Sequence, residues 1–450
     1  MFAFQLIGMF KSCVLFGQRI QPGERIALAA FQREKLLKAQ GIKKYNKRFR
    51  SWAQHRVRQY TLGRPVSLFA DPAEMKSDFL ASAFQKAAAL RKHDLTLWGN
   101  LSKRTLEIVE EIKPEHLGYI FYGVGKSRYF HVELVRRLFS YLVTQLPKVN
   151  GHCVMAAMWT LRRTQIKPED DELVSVAKWL ITTKSKVRPK DFMKIAHSLA
   201  FFGSCKNNEE LRVALSQAAI EKFENETFAQ DFRSAINPMT LSNLWTDSVR
   251  KYTLNRFVSI AVCARPQHLL RAYEAAVLIR VMRPKTWFEL YPRIRKFYTS
   301  LAMRYLEAPP KRMTKLHREV SETVESLGLK HRLAFRWGPF YVDIGFDGDE
   351  DRNACLMVDN LSSFYFDSMS YTEEVKVTHK VLTELGWDVR RVNWADWVAS
   401  DDRPGLLKDI LAAPAVSVVP EISRSFTESH AKFKEWRRIR KNLETVEIDL

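Results

Sequence analysis

The stretch from Met313 to Pro414 constrains the fold of this chain more than any other, because helical and strand-like hydrophobic patterns alternate along it. Apolar residues recur at helical spacing over 314–327, and Gly328 follows at the point where a helix would end. The other regular patterns predict strands at 340–346, 354–358 and 387–392, and helices at 372–385 and 404–411. Helices interleaved with short strands predict one compact α/β unit at 313–414.

The order of the motifs in this unit resembles that of the RAP domain. A Val-Asp-Ile strand is followed by a strand ending in Val-Asp, a helix ending in Leu-Gly-Trp, a Trp-x-x-Trp motif and a Leu-Leu helix. The residues that carry the resemblance are Val342, Asp343, Ile344, Val358, Asp359, Gly386, Trp387, Trp397, Leu406 and Leu407. The RAP domain is found at the C-termini of helical-repeat proteins that act on organellar RNA, so the resemblance implies a role with RNA. The alternative is another α/β domain, in which Trp387, Trp394 and Trp397 are packing residues.

The resemblance also bears on catalysis. RAP domains resemble the core of a nuclease fold in which an acidic pair coordinates Mg²⁺ beside a lysine. This chain keeps Asp343, but Met357 stands where family members commonly have a glutamate, and residues 360–363 replace the usual Gly-Pro-x-His. A thioether does not hold a hard cation, which binds oxygen ligands. We therefore expect no catalytic residue, no metal site, no cofactor and no enzyme activity.

The positive charge of the chain is concentrated in residues 1–70. The whole sequence has a formal net charge of +22, which favours polyanionic partners such as nucleic acid or an anionic membrane surface. Fourteen lysine and arginine residues stand against Glu24 and Glu34 in this segment, a balance of +12. Residues 1–60 also combine few acids with an amphipathic apolar start, which suits a mitochondrial transit peptide. We predict a basic N-terminal arm over 1–70 and localisation to the mitochondrial matrix.

Both ends of the chain interleave cations with aromatic residues. Lysine and arginine neutralise phosphates, while aromatic rings stack on unpaired bases. The residues that this pattern predicts to bind RNA are Lys43, Lys44, Lys47, Arg48, Arg50, Trp52, Arg56 and Arg58 in the arm, and Lys434, Arg437, Arg438 and Arg440 in a basic C-terminal helix or tail at 415–450. The alternatives are a solvated linker for the arm, and a solvated face or a contact with a neighbouring subunit for the tail.

Residues 71–306 predict an array of helices. Val149, Met155, Leu161 and Leu173 have counterparts 38 residues later, at Val187, Met193, Leu199 and Leu211. Helical pairs with a period of about 38 residues predict an α-solenoid, which resembles the degenerate organellar repeats that commonly precede a RAP domain. An irregular helical bundle is the alternative. The fold class is therefore mostly α, with a solenoid of helical hairpins followed by a small α/β RAP domain.

Cysteine usage and hydropathy limit the remaining function classes. The five cysteines are widely scattered, and none has the C-x-x-C spacing of a zinc site. They are predicted to be buried free thiols in a reducing compartment. Since no segment approaches the ~18–20 uninterrupted apolar residues of a membrane span, no membrane insertion is expected.

Two functions fit these observations. The favoured one is a non-catalytic RNA-binding scaffold of a mitochondrial ribonucleoprotein, with the mitochondrial ribosome as the leading setting. Its predicted partners are RNA, with rRNA favoured, and ribosomal or other ribonucleoprotein subunits. The alternative is a free mitochondrial RNA-processing or stability factor that binds one transcript. A RAP-domain endonuclease is disfavoured because of Met357 and residues 360–363.

Overall fold

The computed structural model describes residues 71–414 and Val419, with gaps at 91, 93, 128–130, 206, 225–235, 237–241, 262–263, 265, 303–312, 347–352, 367 and 369. Twelve α-helices precede the α/β unit in these residues. They are α1 (Ser77–Ala89), α2 (Leu95–Glu107), α3 (Pro114–Ser127), α4 (Val132–Thr144), α5 (Gly151–Thr164), α6 (Asp170–Thr182), α7 (Pro189–Phe202), α8 (Glu209–Glu224), α9 (Asp247–Ile260), α10 (Pro266–Met282), α11 (Pro284–Phe288) and α12 (Pro292–Leu301). The predicted helical character of residues 71–306 is confirmed for the described residues.

Helices α1 to α8 form two layers. The odd-numbered helices pack on one another in order, and so do the even-numbered ones. Helices α3, α5 and α7 begin at residues 114, 151 and 189, which agrees with the predicted spacing of about 38 residues. Helices α9 to α12 instead surround a separate apolar cluster that contains Phe257, Trp287 and Tyr298. The predicted helical pairs are therefore present, whereas the α-solenoid stays a prediction.

Glycines allow the odd-numbered layer to pack closely. Gly123 lies in α3 against α1, and a Cβ atom at this position would lie 2.9 Å from Cβ of Phe84 and 3.0 Å from its carbonyl oxygen. Cβ atoms essentially never lie within 3.0 Å of another heavy atom in this way, so a larger residue here would push the two helices apart. The glycines in this helix thus serve packing, although glycine weakens a helix by about 1 kcal/mol relative to alanine.

The α/β unit forms as predicted, with two additions. Its elements are α13 (Lys315–Ser326), β1 (His331–Trp337), β2 (Phe340–Phe346), β3 (Asn353–Asp359), α14 (Glu373–Glu384), β4 (Trp387–Asn393), α15 (Trp394–Ala399) and α16 (Arg403–Ala412). Every predicted strand and helix of this unit is confirmed to within one residue at each end. The additions are strand β1 and the short helix α15. Strand β1 was not predicted, although Leu333, Phe335 and Trp337 alternate with polar or small residues.

The sheet has the order β1-β2-β3-β4. Strands β1, β2 and β3 pair antiparallel, while β3 and β4 pair parallel and are connected through α14. One face carries Val342, Met357 and Trp387, which pack with α14 and with Leu278 of α10. The other face carries Ile344, Leu356 and Val358, which pack with Trp397 of α15 and with α13 and α16. A helix of the array therefore covers part of the sheet.

The segment after β3 connects the sheet to the helical array. The hydroxyl of Tyr365 donates to the carbonyl oxygen of Phe201 at 2.7 Å, and its ring packs edge-on against the Phe201 ring. The backbone N–H of Phe366 donates to the carbonyl oxygen of Gln165 at 2.8 Å. Residues 364–366 belong to the same buried apolar cluster as the core of α1 to α8. The helical array and the α/β unit thus share a buried interface.

Two further expectations concern cysteines and membranes. Cys153, Cys205 and Cys355 are buried free thiols, as predicted, while Cys13 and Cys263 lie outside the described residues. Within the part of the chain that the structure describes, no helix has both the length and the apolar character of a membrane span.

Candidate functional site

Strand β2 is irregular at Asp343, one of the two acidic residues of the family pattern. In a regular strand, Val342 and Ile344 would face the same side of the sheet, yet they pack on opposite faces. The β1–β2 pairing skips Asp343 and Ala334, and Ala334 has a φ of 46° in the left-handed region. The pairing of β2 with β3 covers only Ile344–Phe346. The backbone therefore turns at Asp343 and separates β2 from the end of β3.

The carboxylate of Asp343 fills the resulting gap. Its Oδ2 accepts a hydrogen bond from the backbone N–H of Val358 at 3.0 Å, in place of a ladder partner on β2. Its Oδ1 lies 3.3 Å from Nε2 of His317, and Nδ1 of that imidazole lies 2.6 Å from the hydroxyl of Thr314. Asp343 and His317 are both buried. Thr314 thus caps helix α13, which presents the imidazole of His317 to this carboxylate in its first turn.

The second acidic residue, Asp359, is held by β4 and by the segment that precedes α14. Nε of Arg391 donates to Oδ2 at 2.7 Å, and Nη2 donates to Oδ1 at 2.6 Å. The hydroxyl of Tyr371 also donates to Oδ2 at 3.0 Å, and the Arg391 guanidinium lies 5.5 Å from the centre of the Tyr371 ring. Burial, and then the charge of Asp359, raise the pKa of the Tyr371 hydroxyl, so it remains a donor at neutral pH.

The positive charge of Arg391 balances the negative charge of Asp359, and the Tyr371 hydroxyl beside them is neutral. Burial by itself would lower the pKa of Arg391, but the charge of the Asp359 carboxylate and its hydrogen bonds raise it above the ordinary value. Arginine and carboxylate side chains in this fork arrangement form strong, oriented hydrogen bonds. Asp359 accepts three side-chain hydrogen bonds, and Asp343 accepts one from the backbone with an imidazole nitrogen 3.3 Å away, so protein groups surround both carboxylates.

The surroundings of the two carboxylates offer few further oxygen ligands. Met357 packs in the apolar cluster with Phe340 and Val342. Among the described residues, no group of three or more His, Cys, Asp or Glu side chains is arranged to hold a metal ion. The arrangement is that of a carboxylate pair which stabilises the junction of β2, β3 and β4.

The remaining residues of the family pattern serve the fold. Gly386 has a φ of 86° where the chain leaves α14 for β4, a conformation that favours glycine. The Trp387 ring packs edge-on against Trp337 at 5.5 Å, and Trp397 is fully buried with its Nε1–H donating to Glu319 at 3.2 Å. The packing roles of these tryptophans are confirmed.

The cations predicted to bind RNA lie elsewhere. Lys43, Lys44, Lys47, Arg48, Arg50, Trp52, Arg56, Arg58, Lys434, Arg437, Arg438 and Arg440 all lie outside the described residues. Their predicted contacts with RNA stay predictions.

A set of cations and aromatic rings at the end of α11 and the start of α12 was not predicted. Phe288 and Tyr291 are each 66% exposed. The guanidinium of Arg295 lies 5.7 Å from the centre of the Phe288 ring, and that of Arg293 lies 5.8 Å from the Tyr291 ring. We refer to these four residues as the cation–aromatic surface. The sequence 283–296 interleaves cations and rings as residues 43–52 do, so the same pattern would have identified it.

Comparison with known proteins agrees with the resemblance seen in the sequence. A family model for the RAP domain matches residues 356–403. The matched segment runs from β3 to the first residue of α16 and includes Asp359, Tyr371 and Arg391. No curated protein matches the chain at a significant level. A RAP domain suggests RNA binding.

Proposed function

We propose that this RAP-domain protein binds RNA without cleaving it, as a scaffold component of a mitochondrial ribonucleoprotein. The observation that carries the proposal is the state of the acidic pair within and beside the matched segment. Asp359 is paired with Arg391, and Asp343 is bonded to Val358 and lies beside His317. A nuclease of this fold needs its carboxylates for a hydrated cation, whereas these two carboxylates hold the strands together.

RNA binding is supported by two further features. The cation–aromatic surface offers rings on which bases stack, with arginines that neutralise phosphates. The charge of the whole chain, +22, favours a polyanion as the partner. The composition of residues 1–60 supports a mitochondrial setting, and the concentration of charge in the arm supports anchoring to a folded RNA such as rRNA.

The non-catalytic part of the proposal has a direct test. We expect that the full chain leaves a single-stranded RNA intact in the presence of Mg²⁺. Mg²⁺-dependent cleavage that disappears in Asp343→Ala, with the chain still folded, would overturn the proposal.

The cation–aromatic surface is tested by truncating its rings. Phe288→Ala with Tyr291→Ala removes up to two stacking partners, each of which contributes about 1–3 kcal/mol per base, so RNA affinity should fall. Leu95→Ala is the control, because Leu95 is a similarly exposed apolar residue, 59% exposed, on a distant helix. Equal affinities of the double variant and wild type would remove this surface from the RNA interface.

Sedimentation of organelle lysate, with and without RNase, separates the two candidate settings. Co-migration with ribosomal subunits supports the scaffold role. A light or transcript-sized complex supports the alternative of a free processing or stability factor.

A further inference from the structure

The helical array and the RAP domain enclose a cavity between α9, α10 and α14. Its volume is about 410 Å³, within the range of ~300–1,000 Å³ that small-molecule sites occupy. Leu278, Ile279 and Met282 of α10 form one apolar wall, and Val377 of α14 lies in the wall that the RAP domain contributes. Because Leu278 also belongs to the apolar cluster of the sheet, the docking of the two units shapes this cavity.

The rim of the cavity is strongly basic. Four cations line it, Arg250, Arg283, Lys376 and Lys380, against the single carboxylate of Glu373. Glu373 is already paired with Lys376 at 3.3 Å. Lys380 is exposed and makes no hydrogen bond or ion pair with any residue that the structure describes. Since Lys376 is paired with Glu373 and Arg250 with Asp247, the excess positive charge of the lining comes from Arg283 and Lys380.

Arg250 is influenced by one other cation of the lining, Arg283. Arg250 is buried and donates to Asp247 at 2.7 Å and to the carbonyl oxygen of Ser242 at 2.8 Å. Burial lowers the pKa of the Arg250 guanidinium, and its hydrogen bond to Asp247 opposes this, while the charge of Arg283 lowers it further. Such mutual repulsion is relieved when an anion lies between the cations.

We propose that this cavity binds one unstacked nucleotide of a single-stranded RNA, with its phosphate at Lys376, Lys380 and Arg283 and its base against the apolar wall. A cationic rim beside an apolar wall matches the two chemical parts of a nucleotide. The volume fits one nucleotide and excludes a helix. Arg283 immediately precedes α11, which ends at Phe288, so the cavity and the cation–aromatic surface lie on one stretch of chain. This inference rests on the proposed RNA binding and identifies the cavity as one site at which the RNA binds.

The test uses the full chain and a fluorescent single-stranded RNA of about 12 nucleotides. The double variant Lys376→Met, Lys380→Met should weaken binding and reduce the log–log salt slope by about 0.7 for each phosphate that is no longer neutralised. Val377→Trp fills the cavity without changing charge and should lower affinity at least about 5-fold, because the base loses its apolar contacts with Leu278 and Met282. Lys408→Met is the control, since Lys408 is an exposed cation on α16, which packs on the opposite face of the sheet. Its affinity should equal that of wild type.

Several outcomes overturn the inference. If wild type binds RNA and the cavity variants bind it equally well, the cavity is not the site, while the proposed function stands. If wild type binds free uridine monophosphate but not the RNA, and Val377→Trp abolishes this binding, the ligand of the cavity is a free nucleotide and not part of an RNA strand. The proposed function then also fails. If a polyglutamate peptide displaces the RNA as well as unlabelled RNA does, the cavity has no preference for a nucleotide. Thermal unfolding of each variant confirms that the chain is folded.

Discussion

Arg391 and Asp359 form a buried two-contact ion pair between neighbouring parallel strands, with donor–acceptor distances of 2.7 and 2.6 Å. Their side chains are only 4% and 3% exposed. The guanidinium thus satisfies the carboxylate at a point where the nuclease fold would need free oxygen atoms for a cation. In the proposed non-catalytic function, Asp359 stabilises the junction of β3 and β4.

Breaking this pair should destabilise the protein strongly. Arg391→Met leaves a buried carboxylate with one partner fewer, so the free energy of unfolding should fall by about 3–5 kcal/mol, measured by chemical denaturation. Arg403→Met is the control, because the side chains of the Arg403–Glu319 pair are 43% and 30% exposed and exposed pairs contribute about 1 kcal/mol or less. The double variant Asp359→Leu, Arg391→Met should regain part of this stability. Equal effects of the two arginine variants would contradict this view of the pair.

His197 should make stability depend on pH. Burial lowers the pKa of the His197 imidazole well below its ordinary value of 6.5, and the charges of Arg162 and Arg271 lower it further. Below about pH 6.5 the imidazole takes up a proton in the unfolded chain but not in the folded chain. The contribution of His197 to the free energy of unfolding is therefore complete above that pH and decreases as pH falls. The loss amounts to at most about 1.4 kcal/mol per pH unit.

The variant His197→Gln isolates this effect, because glutamine does not titrate. The free energy of unfolding of wild type minus that of the variant, measured by urea denaturation, should decrease as pH is lowered from 7 to 5.5. A difference that stays constant over this range would show that His197 titrates alike in both states.

Gly123→Ala should destabilise the helical array, although alanine is the better helix former. The added Cβ would meet the Phe84 backbone at 3.0 Å, so α1 and α3 must separate, which costs about 1–3 kcal/mol. Gly99→Ala in α2 is the matched control, since nothing lies within 4 Å of its added Cβ. That variant should gain up to about 1 kcal/mol from helix propensity. Thermal unfolding measures both, and a stabilised Gly123→Ala would contradict the close packing of these helices.

The arm is tested by its salt dependence. Replacement of Lys43, Lys44, Lys47, Arg48 and Arg50 by alanine should weaken RNA binding and reduce the log–log salt slope by roughly 0.7–0.9 for each phosphate that the arm no longer neutralises. The control replaces Lys330 and Lys408, which are exposed cations of the RAP domain. A slope that does not change in the arm variant would exclude the arm as the RNA anchor.

Much of the fold could be predicted from the sequence because its signals are local. The period of apolar residues places α13, β2, β3, α14 and β4 to within one residue, and Gly328 and Gly386 mark helix ends with φ values of 76° and 86°. Strand β1 was not predicted, although Leu333, Phe335 and Trp337 alternate in the sequence, and its irregular backbone at Ala334 is visible only in the structure. The unit between 313 and 414 and its resemblance to the RAP domain are properties of the sequence by itself.

The tertiary structure alone decided what the functional side chains do. Arg391 is 32 residues from Asp359, and the parallel register of β3 and β4 brings them together. The backbone turn at Asp343, which places Val342 and Ile344 on opposite faces of the sheet, also depends on how distant elements pack, and so does the cavity between α10 and α14. Periodicity reports which face of an element is apolar, but it does not report which strand lies beside which. Whether a carboxylate binds a cation or a neighbouring arginine is therefore settled only when the chain has folded.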